Sequence, residues 1–172
     1  PTGYCSSNGT DNNYEWIDLV VFGGINNATA KETGGYGNYT SLKGTLTIGL
    51  ANQPVYLSAG FASTAYDEYW RIWIDLNRDG DFDDSGELLI DGNSSSDTRL
   101  RASVTIPSSA AVGLTHMRVS MKYKAAATPC EVFQYGEVED YMVDLVSGNG
   151  NLVFGGGLSL SRDNALELTS NP

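Results

Sequence analysis

The chain has 172 residues, of which 41% are hydrophobic and 18% charged, enough for one ordinary core and too apolar for a disordered acid. Its 21 acidic residues outnumber 10 basic ones, and the resulting charge of −11 repels a polyanionic backbone, which excludes nucleic acid as a partner. The longest apolar runs fall short of the roughly 18 residues of a membrane-spanning helix, and the absence of a leader-like opening reads as a mature or excised segment.

In chain order, residues 1–13 read as a coil or anchored arm, and "YEWIDLVVF" has the β-branched and aromatic content of a strand. "ETGGYGNYTS" reads as a glycine-rich loop bearing Tyr36 and Tyr39. In "GTLTIGL" the alternation of Leu46, Ile48 and Leu50 with Thr45, Thr47 and Gly49 predicts a strand with one buried face, and "PVYLSAGFA" predicts its neighbour. "EYWRIWIDL" alternates again, with Trp70, Ile72, Ile74 and Leu76 facing one way and Arg71, Trp73 and Asp75 the other. An acidic loop follows, then "GELLIDG" and "RLRASVTIP" as strands, the second ended by Pro107. "VGLTHMRVSMKY" puts Met117, Val119 and Met121 on one face and His116, Arg118, Ser120 and Lys122 on a polar face. "YMVDLV" closes the series, and the only helix-like stretch, "PSSAAVG", is too short to reorganise it.

This pattern predicts an all-β antiparallel sandwich, jelly-roll or immunoglobulin-like. Residues 1–147 form the expected domain, and 148–172 read as a final hairpin or a C-terminal linker.

Counted from Asp75, side-chain oxygens recur at alternate positions, Asp75, Asn77, Asp79, Asp81 and Asp83, with Gly80 at the sixth place. That is the register of a D-x-N-x-D-G calcium loop, in which alternate residues face one hard cation and glycine permits the turn. The closing glutamate is displaced by one residue, to Glu87, and the incoming element is a strand rather than a helix. The reading is therefore a calcium loop grafted onto a strand end, with Asp75, Asn77, Asp79, Asp81 and Glu87 as Ca²⁺ ligands. Asp83 would bind through water, and Asp84 would be solvated. A plain acidic turn is the alternative, although crowding this many carboxylates without a cation is unfavourable. A single histidine and two cysteines argue against zinc.

Cys5 and Cys130 both lie in polar, turn-like contexts rather than apolar runs, which favours a disulfide tying the N-terminal arm to a late part of the chain.

Three separated stretches, "YC" followed by "YEWI", "WIDLNRDGDFDDSGELL", and "GEVEDYMV" at 136–143, together resemble the GEVEDY domain over roughly residues 4–145. The resemblance implies a secreted, noncatalytic bacterial β-sandwich module attached to other domains in a larger protein. On the residues themselves, Glu137, Glu139 and Asp144 are placed on one strand face and Val138, Asp140 and Met142 on the other. Tyr141 is read as packing its ring, with Glu139 or Asp140 fixing neighbouring loops.

Catalysis is disfavoured: His116 lacks a marked nucleophile, and no nucleophile elbow is present. Tyrosines in Gly-, Asn- and Ser-rich loops, above all Tyr36, Tyr39, Tyr66 and Tyr69, point to stacking on a polysaccharide. Protein or peptide adhesion, or a structural spacer, is the alternative.

Overall fold

The computed structural model describes residues 3–148 together with the backbone of Ser159–Leu160 and Leu166–Glu167, which pair with each other antiparallel. The reading of 148–172 as a hairpin or linker lies almost wholly outside the described residues. Ten strands build the described body: β1 Asn8–Asp11, β2 Glu15–Phe22, β3 Ile25–Ala28, β4 Tyr36–Ile48, β5 Gln53–Phe61, β6 Glu68–Ile74, β7 Leu88–Ser94, β8 Leu100–Val104, β9 Gly113–Tyr123 and β10 Val132–Ser147. Among the described residues there is no helix, and "PSSAAVG" forms turns and the start of β9.

The strands make two sheets in a sandwich-like arrangement. One runs β3-β2-β5-β8; the other runs β1-β10-β9-β6-β7, with β4 also on β10. Between them lies a core to which alternate residues of each strand contribute: Ile17, Val20, Phe22, Val55 and Leu57 from one sheet, Trp70, Ile72, Ile74, Met117, Val119 and Met121 from the other. The period-two faces predicted for β6 and β9 are thus the faces observed. Of the face predicted for β4, Leu46 is fully buried, Ile48 packs partly against the core and Leu50, beyond the strand end, is 53% exposed.

Not every pairing is antiparallel. β10 accepts β9 antiparallel on one edge, and along its length it also pairs parallel with β1 through Val132 to Tyr135 and with β4 through Val138 to Ser147. Parallel pairing needs a long crossover, and the stretch from β4 to β10 supplies one.

The glycine-rich segment expected to be a loop turns over residues 32–35 and from Tyr36 on is the first half of β4. Its glycines serve close approach: a Cβ on Gly35 would stand 2.1 Å from the Gly9 carbonyl oxygen, and one on Gly37 would stand 2.5 Å from the Tyr39 ring. Local composition announces a loop when the true requirement is a tight three-strand seam.

Two face assignments are corrected, one on β10 and one on β9. Tyr141, Val143 and Leu145 continue the inward face begun by Glu137 and Glu139, so Asp144 falls on the opposite face. The polar face of β9 is not open either. Arg118 is only 2% exposed, because the N-terminal arm lies over it. That arm is fixed by a Cys5–Cys130 disulfide, whose Cα atoms are 5.4 Å apart, and by Ser7 Oγ donating to the Glu131 carbonyl at 2.8 Å.

Candidate functional site

The acidic loop leaves β6 at Asp75 and returns at Glu87, and both of these carboxylates are buried. Asp75 accepts from the backbone N–H of Arg78 (2.5 Å) and Gly80 (3.1 Å) and from the Tyr4 hydroxyl (2.5 Å). Glu87 accepts from the N–H of Leu76 at 2.8 Å and of Asp84 at 3.4 Å; burial pushes its pKa up, and these bonds oppose the shift. Positive φ at Arg78 (66°) and Gly80 (101°) turns the chain tightly enough to aim several N–H groups at one carboxylate. Within the loop Phe82 faces inward, 3% exposed, against Trp73, Phe133 and Val138. Sequence reasoning passed over this anchor, although a lone aromatic among aspartates was the available signal.

Outside that frame, the carboxylates of Asp79, Asp81 and Asp84 converge, each offering an oxygen within 4.8 Å of the others. Oxygens bound to one Ca²⁺ at roughly 2.3–2.6 Å stand at most about 5 Å apart, so the set matches a single hard cation in spacing and in donor type. Successive side-chain turns hold the oxygens in place: the N–H of Asp79 donates to Asn77 Oδ1 (2.9 Å), that of Asp81 to Asp79 (3.3 Å), and that of Asp83 to Asp81 (2.9 Å). The Asn77 amide also donates to Asp79 (2.9 Å) and Asp84 (2.5 Å), bridging the carboxylates from one side. Of the residues read as ligands, Asp79 and Asp81 lie in the cluster, Asn77 bridges it, and Asp75 and Glu87 frame it with lone pairs still to offer. Asp84, read as solvated, joins the cluster.

The "GEVEDY" stretch is the structural counterpart of the loop. Gly136 has φ +119°, and a Cβ there would stand 2.1 Å from the Met121 carbonyl oxygen. Glu137 accepts from the Ile17 N–H (2.9 Å), the Asn12 amide (2.8 Å) and the Glu32 N–H (2.6 Å), tying the bulged start of β2 to the turn before β4. Glu139 accepts from Thr29 at 3.1 Å and from the Tyr141 hydroxyl at 2.6 Å, while burial pushes its pKa up to about 8. Asp140 meets the Arg118 guanidinium through two bonds of 2.7 Å. Arg118 in turn donates to the carbonyls of Cys5 (2.9 Å) and Pro129 (2.6 Å) and lies over the Phe82 ring at 5.3 Å, joining hexapeptide, disulfide and acidic loop.

The four tyrosines singled out as ligand contacts are placed differently from one another. Tyr36 donates to Asp140 at 2.8 Å and lines a groove of about 440 Å³ beside the loop, shared with Tyr4, Asn38, Arg78 and His116. Its pKa is pushed up to about 12 by burial and by Asp140. Tyr39 donates to Glu32 and stacks on Tyr141 with ring centroids 5.6 Å apart. Tyr66 lines a separate pocket with Tyr123, and half-buried Tyr69 pairs with Asn93 and Lys122 across the sheet. His116 packs its ring 4.0 Å from that of Tyr4, and burial lowers its pKa.

The family model for the GEVED domain matches residues 69–144, a span that opens at β6, contains the whole acidic loop and closes within β10. Residues 69–144 are a GEVED domain. GEVED domains are noncatalytic accessory modules, and the hexapeptide's part in this one is structural: every polar side chain in it is bonded to the framework. The strands that complete the sandwich, β1 to β5, precede the GEVED match. No curated protein matches the chain.

Proposed function

We propose that the chain is a secreted accessory module, attached to other domains of a larger bacterial protein, that binds Ca²⁺ in its acidic loop and a neutral polysaccharide in the groove beside it. The observation that carries the reading is the convergence of Asp79, Asp81 and Asp84 in the same loop whose Arg78 and Gly80 line a groove with Tyr4, Tyr36 and Asn38. Calcium offsets part of the loop's charge and holds Arg78 and Gly80 in place. The groove's rings then stack on a sugar face while its amide and guanidinium direct hydroxyl groups. Tyr66 and Tyr69 lie elsewhere and take no part in this groove. The disulfide supports an oxidising compartment.

Calorimetric Ca²⁺ titration after chelation tests the first half. Heat release and a raised melting temperature are expected, lost in Asp79→Ala and Asp84→Ala and retained in Asp83→Ala; no heat in the wild type rejects the calcium assignment. For the second half, glycan and protein arrays are probed with and without Ca²⁺. Glycan binding that needs Ca²⁺ and weakens in Asn38→Ala, with unchanged melting, is expected. Capture of a protein or peptide instead selects adhesion, and capture of nothing selects a spacer.

A further inference from the structure

A second site lies at the opposite end of β6 from the acidic loop. Glu68 begins that strand opposite Tyr123 of β9, and Ile74 ends it opposite Met117, which separates the two places by about 20 Å of extended chain. There Tyr14, Tyr66, Tyr123 and Tyr135 surround a pocket of about 220 Å³ with Glu15 among its walls. Successive rings turn by near right angles: Tyr66 to Tyr123 by 81°, Tyr123 to Tyr135 by 87°, Tyr135 to Tyr14 by 78°, with centroids 5.5 to 6.0 Å apart. The four tyrosines come from four different segments, so no local pattern announces the arrangement.

Behind the rings the charge is unbalanced. Glu15 is 2% exposed and Glu68 is fully buried, yet among the described residues Glu15 Oε1 and both Glu68 carboxylate oxygens have no hydrogen-bond partner. Asp11 adds its charge to Glu15, and Asp67 adds its own to Glu68. Lys124 places its Nζ over the Tyr123 ring, 4.9 Å from its centre, and is not among the residues that wall the pocket. Buried carboxyls without partners are costly unless a ligand or a proton supplies what they lack.

We propose that this pocket binds a quaternary ammonium group of the trimethylammonium type, with the four tyrosine rings facing its methyl groups and the Glu15 carboxylate supplying the opposing charge. Aromatic faces attract such cations through the ring quadrupole. A primary ammonium has three N–H donors to satisfy, and the free Glu15 oxygen offers one acceptor; a quaternary group has none and asks only for faces and charge. The volume, below the 300–1,000 Å³ of pockets for drug-sized ligands, suits a head group.

The test is a titration of the calcium-loaded chain with choline chloride, followed by NMR of the tyrosine rings, beside titrations with 3,3-dimethyl-1-butanol, the neutral carbon isostere, and ammonium chloride. Saturable shifts of these rings with choline, at affinity at least roughly three- to fivefold above both controls, are expected. Equal response to the isostere reduces the pocket to an apolar contact and overturns the proposal, as does no saturation with choline. Tyr14, 49% exposed, can be removed without opening the core, so Tyr14→Ala should keep its melting temperature and bind choline several-fold more weakly; unchanged affinity overturns the assignment. Glu15→Gln should weaken choline more than the isostere. Co-sedimentation with phosphatidylcholine vesicles, set beside soluble phosphocholine, distinguishes a lipid from a soluble source of the same group.

Discussion

Arg118 shows how much one side chain can be asked to hold. Its guanidinium satisfies Asp140 through two bonds and caps two backbone carbonyls while being 2% exposed, so removing it strands a buried carboxylate and two acceptors together. Arg118→Leu is expected to lower stability by roughly 3–5 kcal/mol in urea denaturation. Asp91, 50% exposed and paired with Arg71 at 2.9 Å, provides the contrast: Asp91→Ala should change stability by less than about 1 kcal/mol. Equal losses from the two variants would show that burial is not what gives the Arg118–Asp140 pair its weight.

Among the elements, β10 organises the fold, because it meets β9 on one edge and both β1 and β4 in parallel along its length. β1 is four residues long and owes its position to the arm before it, which the disulfide clamps to the turn preceding β10. The bridge spans 125 residues, so it restricts most of the unfolded chain. Replacing both cysteines by serine should cost roughly 2–4 kcal/mol. Because the arm also carries Tyr4 to Asp75, the same variant should weaken Ca²⁺ binding in calorimetry. Unaltered affinity would separate the arm from the loop.

For the molecule as a whole, stability should depend on pH through its buried acids. Burial, with Asp11 nearby, pushes Glu15 up to about 7, and burial with Glu15 and Asp67 pushes Glu68 up to about 8. A carboxyl with a higher pKa in the fold binds more protons folded than unfolded, so unfolding free energy falls as pH rises from the ordinary 4.5 through the folded value. Glu139 adds to this, while His116, lowered by burial, acts oppositely but only below its ordinary 6.5. Between about pH 6.5 and 8.5 the carboxyls act alone, and the melting temperature should fall with rising pH. Glu68→Gln should fall less steeply; an equal slope would remove Glu68 as a source.

The sequence by itself determined the all-β class, the inward faces of β6 and β9, and an acidic loop in calcium-binding register, because strand burial and turn geometry repeat over two to twelve residues and are written locally. Trp70, Ile72 and Ile74 face the core as their alternation requires. The Cys5–Cys130 pairing was legible too, since only two cysteines were available. Only the tertiary structure decided what covers each outer face. Arg118 reads as solvated until a distant arm is laid over it, and Asp84 reads as spare until the turn brings it to Asp79 and Asp81. Gly35 and Gly37 read as loop residues, but their task is to admit the Gly9 backbone and the Tyr39 ring. Glu15 meets Tyr66, Tyr123 and Tyr135 through space, and no spacing along the chain encodes a pocket whose walls come from separate segments.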